Sequence, residues 1–550
     1  MSENDVLDYA IVGGGVSGIY SGWRLLEQET PDPRPAVALF ESSPRLGGRL
    51  LSVIPPKIPS ARVELGGMRY IKDTQPWVTA LVEHLGLATE ALAAAEAQNF
   101  CYVRGDHLRM FQLTDWTDVP YALGPYERSE EQLGNLTGVA AMRALKKTIY
   151  DLLGKDIRHW TELGTEMTAA DWEKVATEGL YDGTPLYELT MQYLMFRQIS
   201  HEAYLMAQDT SGYDSILHTW NAADGFGWNV GDYGPHVSYL HVTDGYQAVP
   251  DMLAEQFKAS GGQIHMETRL RSFDFDDESQ TVSLEVEWGN SIRTVTARHL
   301  ILAMPRRSIE LLAQTGPVLD PSNDDVHELI ESVTPIPLFK LAICYRYPWW
   351  EDIAPVDTGD GELKSITAGK STTDLPVRQC YYWKVDPDTG KAVILIYDDG
   401  VALDYWVGLR DSTQPSFPND PGELPPDFDL GDWADFPAPK RMVEEVHRQL
   451  IELHGVDPAD VPEPYSAAYR DWGEDPYGGG ANFWPVGVKS FDVGHRVIQP
   501  KPPYPVYICG EAYSHAQGWV EGALATAEEM LQGPIGIRPP SWHETEVPGA

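Results

Sequence analysis

The strongest indication of the fold is the stretch Leu7-Asp8-Tyr9-Ala10-Ile11-Val12-Gly13-Gly14-Gly15-Val16-Ser17-Gly18. Its first six residues are mostly apolar, as is typical of a short buried strand. A glycine loop follows, and the apolar spacing from Ile19 to about Gln28 then predicts a helix. The next apolar run, Ala36–Phe40, predicts a second strand. A strand, a glycine loop, a helix and a strand in this order predict an α/β dinucleotide-binding unit.

The glycine loop has the GxGxxG pattern in its required place, between a strand and a helix. Gly13 allows the tight turn, Gly15 lets the backbone approach a pyrophosphate, and Gly18 lets the helix and strand pack closely. The free N–H groups and the dipole of the helix N-terminus favour phosphate there. Glu41 ends the second strand, where a carboxylate accepts ribose hydroxyls and repels a 2′-phosphate, which disfavours NADP.

A second motif follows Glu41 directly. The run Arg45-Leu46-Gly47-Gly48-Arg49 places two glycines between two arginines. Glycine lets the backbone press against a phosphate or a flavin ring, and a guanidinium neutralises phosphate charge. Arg45, Gly48 and Arg49 are therefore candidate cofactor-binding residues.

The composition describes a globular and strongly acidic protein. Its 550 residues carry 41 Lys and Arg against 82 Asp and Glu, a formal net charge of −41, and 43% are hydrophobic. Binding nucleic acid requires a basic face, so nucleic acid is not an expected partner. The charge also argues against an anionic membrane surface, and no apolar run approaches the ~18–20 residues of a membrane helix. The length predicts roughly two to four domains.

The cysteines and the N-terminus bear on compartment and metal content. Cys101, Cys344, Cys380 and Cys509 are scattered without metal-type spacing, so we expect buried free thiols and no metal site. The N-terminal residues lack the basic and apolar regions of a signal peptide. A cytoplasmic location is the expectation.

Beyond the first unit, the patterns alternate between helical and strand-rich segments. Residues from about 75 to 240 have apolar residues at helical spacing and predict a helical insertion. The segment Ser412–Lys440 is rich in Pro and Asp and predicts a long surface loop, and Gly533–Ala550 predicts a surface tail. Further strands are predicted at Gln263–Phe275, Thr281–Trp288, Thr294–Leu302, Leu338–Tyr345 and Ala392–Tyr397.

With these motifs the chain resembles the flavin-containing amine oxidase family, and within it the L-amino acid oxidases. The resemblance covers most of the chain and is weakest over residues 100–240. Besides the glycine loop with Glu41 and the run Arg45–Arg49, three segments carry it. They are Glu64-Leu65-Gly66-Gly67-Met68-Arg69; Phe339-Lys340 with Tyr347-Pro348-Trp349-Trp350-Glu351; and Gly510-Glu511-Ala512-Tyr513-Ser514 with Gln517-Gly518-Trp519-Val520-Glu521-Gly522-Ala523.

The resemblance implies an α/β (α+β) fold of three parts. A two-dinucleotide-binding-type FAD domain would be assembled from residues 1–75, 240–330 and 490–535. A mixed-sheet substrate-binding domain would span 331–489, a helical domain would span 76–240, and 536–550 would form a surface tail. The implied cofactor residues beyond the glycine loop, Glu41 and the arginine run are Gly66, Gly67, Met68, Arg69, Leu270, Glu511, Gly518, Trp519 and Val520. Some relatives tether the flavin to a cysteine, whereas Gly480-Ala481-Asn482 has none at the comparable run, which implies non-covalent FAD.

The resemblance also implies catalytic roles. Arg69 matches the arginine that holds the substrate carboxylate, for which a planar fork of donors is the best partner. The α-amine would donate to the Gly518 carbonyl beside the wall of Trp519, and Lys340 would hold a water at the flavin. A tyrosine hydroxyl would assist, and the family pattern favours Tyr382 over Tyr381, which a slip of one residue would exchange.

The substrate pocket is less determined by the sequence. Trp220 and Trp383 are the candidate pocket residues, and the second aromatic wall is Asn482 or Phe483, where relatives have tyrosine. The aromatic residues suggest a site of broad specificity that tolerates aromatic side chains. No residue is assigned as a general base, and no acid of the sequence can be placed in the pocket.

The resulting expectation is an FAD-dependent L-amino acid oxidase that uses O2, forms hydrogen peroxide, ammonia and a 2-oxo acid, and assembles as a homodimer. The alternatives on the same fold are an amino-acid 2-monooxygenase, which forms an amide, and an amine or polyamine oxidase. The alternative from another class is a non-catalytic flavin-binding protein. Arg69 argues against the amine oxidases because their substrates have no carboxylate.

Overall fold

The structure is a computed structural model that describes residues 6–27, 34–93, 95–114, 118–125, 127, 136–233, 237–400, 403–410 and 431–543. It is a mixed α/β fold built on two large sheets, as the sequence predicted. The first sheet, called the nucleotide sheet, contains the strand that opens the chain. The second, called the roof sheet, contains the strand of Lys340.

The nucleotide sheet gathers strands from distant parts of the chain. Its parallel strands lie in the order Gln263–His265, Val37–Phe40, Leu7–Val12, Ser291–Leu302 and Val506–Ile508. Thr281–Trp288 and Thr268–Asp276 extend it by antiparallel pairing. The helices Val16–Glu27, Pro76–His84, Ala248–Ala259 and Val520–Gln532 bury their apolar faces in one core with this sheet.

Charge pairing joins the two ends of the chain within this domain. Arg24, on the first helix, donates from Nε to Glu528 Oε1 on the last helix at 2.6 Å, and both side chains are buried. The Tyr20 hydroxyl donates to the same oxygen at 2.6 Å. A buried carboxylate with two such donors is compensated for its loss of water.

The roof sheet is mixed and takes its strands from two regions of the sequence. Its order is Ser466–Asp471, Leu338–Tyr345, Ala392–Asp399, Gln379–Val385, Lys370–Thr373, Phe100–Val103 and Asp106–Arg109. The helix Lys440–His454 packs against one face, in a core that includes Trp349, Trp350 and Trp406. The strand Leu338–Tyr345 has a neighbouring strand on each side, and all but one of its residues are buried.

The helical region lies in the sequence between the first strands of the two sheets and the rest of the chain, and it contributes one wall of the candidate active site. Its helices are Leu136–Leu153, Glu162–Thr165, Ala169–Glu178, Met191–Gln198, His201–Ser211, Ile216–Thr219 and Ala222–Tyr233. The other helices are Arg306–Glu310, Gly316–Leu319, Asp324–Ile330, Leu403–Val407 and Ser490–Ile498. Short strand pairs complete the fold: Ser52–Val53 with Val63–Glu64; Tyr70–Ile71 and Thr89–Ala91 with Tyr239–Val242; Leu180–Tyr181 with Thr184–Pro185; Thr334–Ile336 with Ala481–Phe483; and Val356–Asp357 with Leu363–Lys364.

One predicted boundary differs from the structure. The strands Phe100–Val103 and Asp106–Arg109 fall within the predicted helical domain, but Phe100–Val103 pairs with both Asp106–Arg109 and Lys370–Thr373, so the two strands belong to the roof sheet. Local periodicity does not register this pairing, because Lys370–Thr373 lies more than 250 residues further along the sequence. The part of the predicted tail that the structure describes packs on the protein: Trp542 stacks on His84, with ring centroids 5.1 Å apart.

Other predictions can be compared directly. The strands Thr281–Trp288 and Leu338–Tyr345 have the predicted bounds. The four cysteines are buried free thiols, as predicted. Most of the predicted loop Ser412–Lys440 and the last residues of the predicted tail, 544–550, lie outside the described residues. Within the described ranges, no helix is both long enough and apolar enough to cross a membrane.

Candidate active site

A long cleft begins at the carboxyl ends of the parallel strands of the nucleotide sheet and continues beneath the roof sheet. The empty space in the cleft is about 2010 Å³, which includes space that is open to solvent. Loops after three parallel strands line it, at Gly13, Glu41 and Ala303. The carboxyl edge of such a sheet is where α/β proteins bind their ligands. We call the part near Gly13 and Glu41 the nucleotide end, and the part near Arg69 and Lys340 the substrate end.

The glycine loop leaves space only on the side of the cleft. A Cβ atom on Gly13, where φ is +109°, would lie 2.3 Å from the Ala303 carbonyl oxygen, and one on Gly18 would lie 2.0 Å from the Gly13 oxygen. A Cβ on Gly15 would meet nothing nearer than the Gly48 Cα atom, at 3.8 Å. Gly13 and Gly18 therefore fit the loop against the protein, while Gly15 presents bare backbone to the cleft.

Glu41 fixes the loop as well as lining the cleft. Its Oε2 accepts a hydrogen bond from the Gly14 N–H at 2.6 Å, and its Oε1 accepts one from the Ser43 N–H at 2.7 Å. The side chain is buried and lies among the residues that line the nucleotide end. A carboxylate held this way keeps lone pairs for hydroxyl donors.

The two arginines of the second motif have different roles. Arg49 lines the cleft, forms an ion pair with Glu511 at 2.9 Å and donates to the Gly480 carbonyl at 3.0 Å. Arg45 does not line it. Its guanidinium donates to the carbonyls of Leu46, Leu50 and Gly48, which closes the turn on itself. The assignment of Arg45 to the cofactor is therefore corrected: its donors are directed at backbone carbonyls of its own turn.

Glu511 connects the nucleotide end to the substrate end. Besides Arg49, it accepts the backbone N–H of Asn482 at 2.9 Å, the Asn482 amide at 3.1 Å and the Gly518 N–H at 2.7 Å. Asn482 is thus bound to Glu511, and Phe483 is the member of that pair that lines the cleft. Gly518, Trp519 and Val520 line it as well, together with Gly66, Gly67, Met68 and Leu270.

Arg69 is the central cation of the substrate end. It is 5% exposed, and its guanidinium carbon lies 3.8 Å from the ring centroid of Tyr239. Its Nη2 donates to the Tyr213 hydroxyl at 3.4 Å. Burial raises the pKa of both tyrosines, and the positive charge of Arg69 opposes that rise. Aromatic faces stabilise a guanidinium without neutralising its charge.

Lys340 lies on the inner strand Leu338–Tyr345 of the roof sheet and lines the same cleft. It is 4% exposed, its Nζ donates to the Gly66 carbonyl, and it lies 4.9 Å from the ring centroid of Tyr397. Burial lowers the pKa of Lys340 to about 7, with Glu64 opposing and Arg69 adding to the shift. An amine with this pKa can hold or release a proton at neutral pH.

The structure separates the two candidate tyrosines. The Tyr382 hydroxyl lies away from the cleft and is hydrogen-bonded to His454 at 2.7 Å and to Ser371 at 2.7 Å. Tyr381 points to the opposite face, and both Tyr213 and Arg69 act on the pKa of its hydroxyl, which burial raises. The structure favours Tyr381 over Tyr382 for contact with Arg69, although the Tyr381 hydroxyl donates to the Gln379 side chain at 3.1 Å and neither tyrosine lines the cleft. The alternation of the strand had left both tyrosines open, and only the position of the sheet shows which face meets Arg69.

The two candidate pocket tryptophans also lie outside the cleft. Trp220 is buried behind it, stacked on Phe483 with centroids 3.5 Å apart, and it donates to the Gln517 side chain. Trp383 donates to the Arg62 carbonyl and contacts the ring of His241. Both assignments are corrected, because each indole meets protein and neither lines the cleft.

Sequence reasoning missed several residues of the substrate end. Tyr213, Trp228, Asp232, Tyr397 and Asp399 line the cleft, and they come from the helical region and from the roof-sheet strand Ala392–Asp399. A weak signal was present in the sequence, because an acid and a tryptophan four residues apart, Trp228 and Asp232, share a helix face. Nothing in their pattern indicated that this face was turned to the cleft.

The nucleotide end fits FAD on its own geometry. Bare backbone at Gly15 can approach a pyrophosphate, the Val16–Glu27 helix begins beside it, and Glu41 can accept ribose hydroxyls. None of the described lining residues is a cysteine. Within the described part of the chain, no group of three or more His, Cys, Asp or Glu residues is arranged to hold a metal.

Comparison of the sequence with known proteins indicates one family. The family model described as flavin containing amine oxidoreductase matches residues 16–414 and 417–530. Achacin of Lissachatina fulica is 27% identical, over 96% of this chain and 92% of its own length. An L-amino-acid oxidase of Sistrurus catenatus edwardsii is 21% identical, over 94% of this chain and 84% of its own.

Solved structures show the fold. A structure of wild-type putrescine oxidase bound to putrescine superposes with a TM-score of 0.63, covering 97% of this chain and all of the other, at 16% identity. At that identity the likeness concerns the fold alone, and it does not select the substrate.

Proposed function

Because the chain belongs to the family of flavin-containing amine oxidoreductases, its cofactor is FAD, and we propose that it is an L-amino acid oxidase with non-covalently bound FAD. The observation that carries the proposal is Arg69, a buried cation at the substrate end of the cofactor cleft. A substrate with a carboxylate gives that guanidinium a planar anionic partner. The similarity to an L-amino-acid oxidase over most of both chains supports the same reading.

Each polar group of an α-amino acid has a partner at this end of the cleft. Arg69 binds the carboxylate through two N–H donors, and the Gly518 carbonyl accepts from the amine beside Trp519 and Phe483. With both groups held, the α-hydrogen has one orientation, which is the condition for a fast transfer. FAD, when bound, supplies the acceptor for the hydride that leaves the α-carbon.

Lys340 holds and moves protons beside that reaction. Its amine donates to the carbonyl of Gly66, which precedes Arg69 by three residues, and its pKa of about 7 leaves it partly neutral at physiological pH. It can therefore position a water for hydrolysis of the imino acid, or provide a proton during reduction of O2. The products of the proposed reaction are a 2-oxo acid, ammonia and hydrogen peroxide.

The experiment compares amino acids with the amines that lack the carboxylate. Hydrogen peroxide, ammonia and amide are measured for the twenty L-amino acids and for the matching amines. The wild-type protein should oxidise the amino acids and turn over the amines poorly. Charge-assisted bonds of this kind are worth about 1.5–3 kcal/mol each, so Arg69→Ala should lower kcat/KM for amino acids by at least about 10–100-fold.

Matched variants separate binding of the carboxylate from damage to the protein. Arg69→Lys keeps the charge and loses the planar fork, so it should remain poor. Both variants should retain FAD, and both should lose little further on the amines. Equal oxidation of amines and amino acids by the wild type would replace the proposal with an amine oxidase. Amide formation would identify a monooxygenase, and bound flavin that is reduced by none of these compounds would identify a non-catalytic flavoprotein.

A further inference from the structure

A buried carboxylate, Asp232, faces the substrate end of the cleft. It lies in the last turn of the helix Ala222–Tyr233, one turn after Trp228, and both residues line the cleft. Asp232 is 4% exposed. Its backbone carbonyl accepts from the Tyr239 hydroxyl at 2.7 Å, which ties this turn to the aromatic ring that carries Arg69. The carboxylate and the guanidinium therefore line the same end of the cleft.

The Asp232 carboxylate has no hydrogen-bond donor from any residue that the structure describes. Two nearby aspartates, by contrast, have hydrogen-bond donors to their carboxylates. Asp399 also lines the cleft, but it accepts the N–H groups of Asp214 at 2.9 Å and Ser215 at 3.0 Å. Asp224, on the same helix, accepts from Asn221 at 2.9 Å and from Ser490 at 2.7 Å. Of these three acids, Asp232 alone keeps its oxygens for the cleft.

The charges around Asp232 do not satisfy it. Burial raises its pKa to about 7, and Arg69 and Lys370 only partly offset that rise. The Lys370 ammonium is directed at the Ser211 carbonyl, 3.1 Å away, and at the Gln379 side chain, 2.9 Å away. A buried carboxylate without a partner is costly, and a bound cation would remove that cost.

We propose that Asp232 binds the cationic side chain of the substrate, so that the preferred substrates are basic L-amino acids such as arginine and lysine. This inference rests on the proposed function, because Arg69 must bind the α-carboxylate of the same substrate whose side chain Asp232 binds. An acidic side chain would be repelled by Asp232, and a neutral one would leave it unpaired. The two charges of the site, one from Arg69 and one from Asp232, are thus complementary to the two opposite charges of a basic amino acid.

The test uses neutral analogues of nearly the same shape as the basic amino acids. For the wild-type holoenzyme, kcat/KM is measured for L-arginine against L-citrulline and for L-lysine against L-norleucine. The basic member of each pair should be preferred by about 10–100-fold, the effect expected of one buried charge-assisted contact. In Asp232→Asn that preference should collapse to a few-fold, while citrulline and norleucine keep their wild-type rates within a few-fold.

Asp224→Asn is the matched control, since it makes the same change on the same helix away from the cleft. It should keep the wild-type preference. An apparent Kd for arginine and for citrulline is also measured, from the dependence of the anaerobic flavin-reduction rate on substrate concentration, in the wild type and in Asp232→Asn. Equal wild-type rates for arginine and citrulline would overturn the inference while leaving an L-amino acid oxidase intact. An equal loss on both substrates in Asp232→Asn would overturn it as well, because it would show a role that does not depend on the side chain. Oxidation of the matching amines at the rate of the amino acids would instead contradict the proposed function.

Discussion

The two ends of the cleft are built in opposite ways. At the nucleotide end the polar groups are already bound to the protein: Glu41 takes two backbone N–H groups, and Glu511 takes Arg49 and the Gly518 N–H. At the substrate end, burial moves the pKa values of Lys340 and Asp232 to about 7, and no described residue donates a hydrogen bond to the Asp232 carboxylate. The nucleotide end is therefore held in one shape by hydrogen bonds, whereas the substrate end contains buried groups whose protonation can change.

The difference shows how one fold combines tight cofactor binding with chemistry. Groups that are fully hydrogen-bonded hold their positions and resist change in protonation. Groups that burial deprives of partners sit near the point at which they gain or lose a proton, or near the point at which a ligand supplies the missing charge. Changes at the nucleotide end should therefore affect assembly, and changes at the substrate end should affect rate and specificity.

Gly18→Ala should give the largest effect, because the nucleotide end has no space for it. The added Cβ would lie 2.0 Å from the Gly13 oxygen, so the loop must shift. Overpacking of this kind costs about 1–3 kcal/mol or more. We expect little bound FAD and a lower melting temperature of the apoprotein. The measurements are the ratio of flavin absorbance to protein and a thermal melt.

Gly15→Ala is the control within the same loop. Its Cβ would meet only the Gly48 Cα atom at 3.8 Å, so the apoprotein should melt near the wild-type temperature while FAD affinity falls. If both variants lost stability equally, the distinction between a glycine packed on protein and one open to the cofactor would fail.

Lys340→Met should change how stability depends on pH. In the unfolded chain the lysine pKa is near 10.5, and in the folded protein burial lowers it to about 7. The unfolded state therefore binds more protons between pH 7 and 10.5, so the wild-type free energy of unfolding gains from this group as pH rises through that window. The stabilisation of Lys340→Met over wild type should be larger at pH 6 than at pH 9, by about 2 kcal/mol. Urea denaturation of the apoproteins at the two pH values measures it, and a constant difference would argue against a neutral lysine at this position.

Lys340→Met should also separate the two half-reactions. If Lys340 handles protons or water, the rate of reoxidation by O2 should fall by about tenfold, equivalent to 1.4 kcal/mol, and anaerobic reduction by the amino acid should change less. Stopped-flow measurement of both rates gives the answer. An unchanged reoxidation rate would remove Lys340 from that step.

The smallest effect should come from the paired tyrosines. Tyr381→Phe removes a hydroxyl on the Arg69 side, so KM for the amino acid should rise by about fivefold, the worth of one neutral hydrogen bond. Tyr382→Phe removes the bonds to His454 and Ser371 and should lower stability by about 1 kcal/mol with KM unchanged. Steady-state kinetics and thermal melts of the two variants are the measurements. A rise in KM for Tyr382→Phe instead would show that Tyr382 is the tyrosine that acts on the substrate.

The nucleotide end could be predicted from the sequence almost completely. Its function lies in a contiguous loop whose glycines are required by local backbone geometry, and in an acid at a fixed place after it. Gly13, Gly15, Gly18, Glu41 and Arg49 all line the cleft or pack its loop. The exception is Arg45, whose guanidinium donates to backbone carbonyls of its own turn. The sequence does not indicate this, because the direction of the guanidinium depends on the side-chain rotamer.

The substrate end was determined by the sequence only where a motif marks it, at Arg69, Lys340 and Trp519. Its other members come from the helical region and from separate strands of the roof sheet, and which of their faces meets the cleft depends on how those elements pack. The period of a strand leaves Tyr381 and Tyr382 equivalent until the sheet is placed, and a helix with apolar residues on several faces does not indicate which one carries Asp232 inward. The sequence alone was enough for the family, the cofactor and the place of Arg69 in the cleft, since each of these rests on a motif of contiguous residues. Which tyrosine faces Arg69, and which aromatic wall and acid line the substrate end, depends on tertiary packing, because long-range contacts set the directions of those side chains.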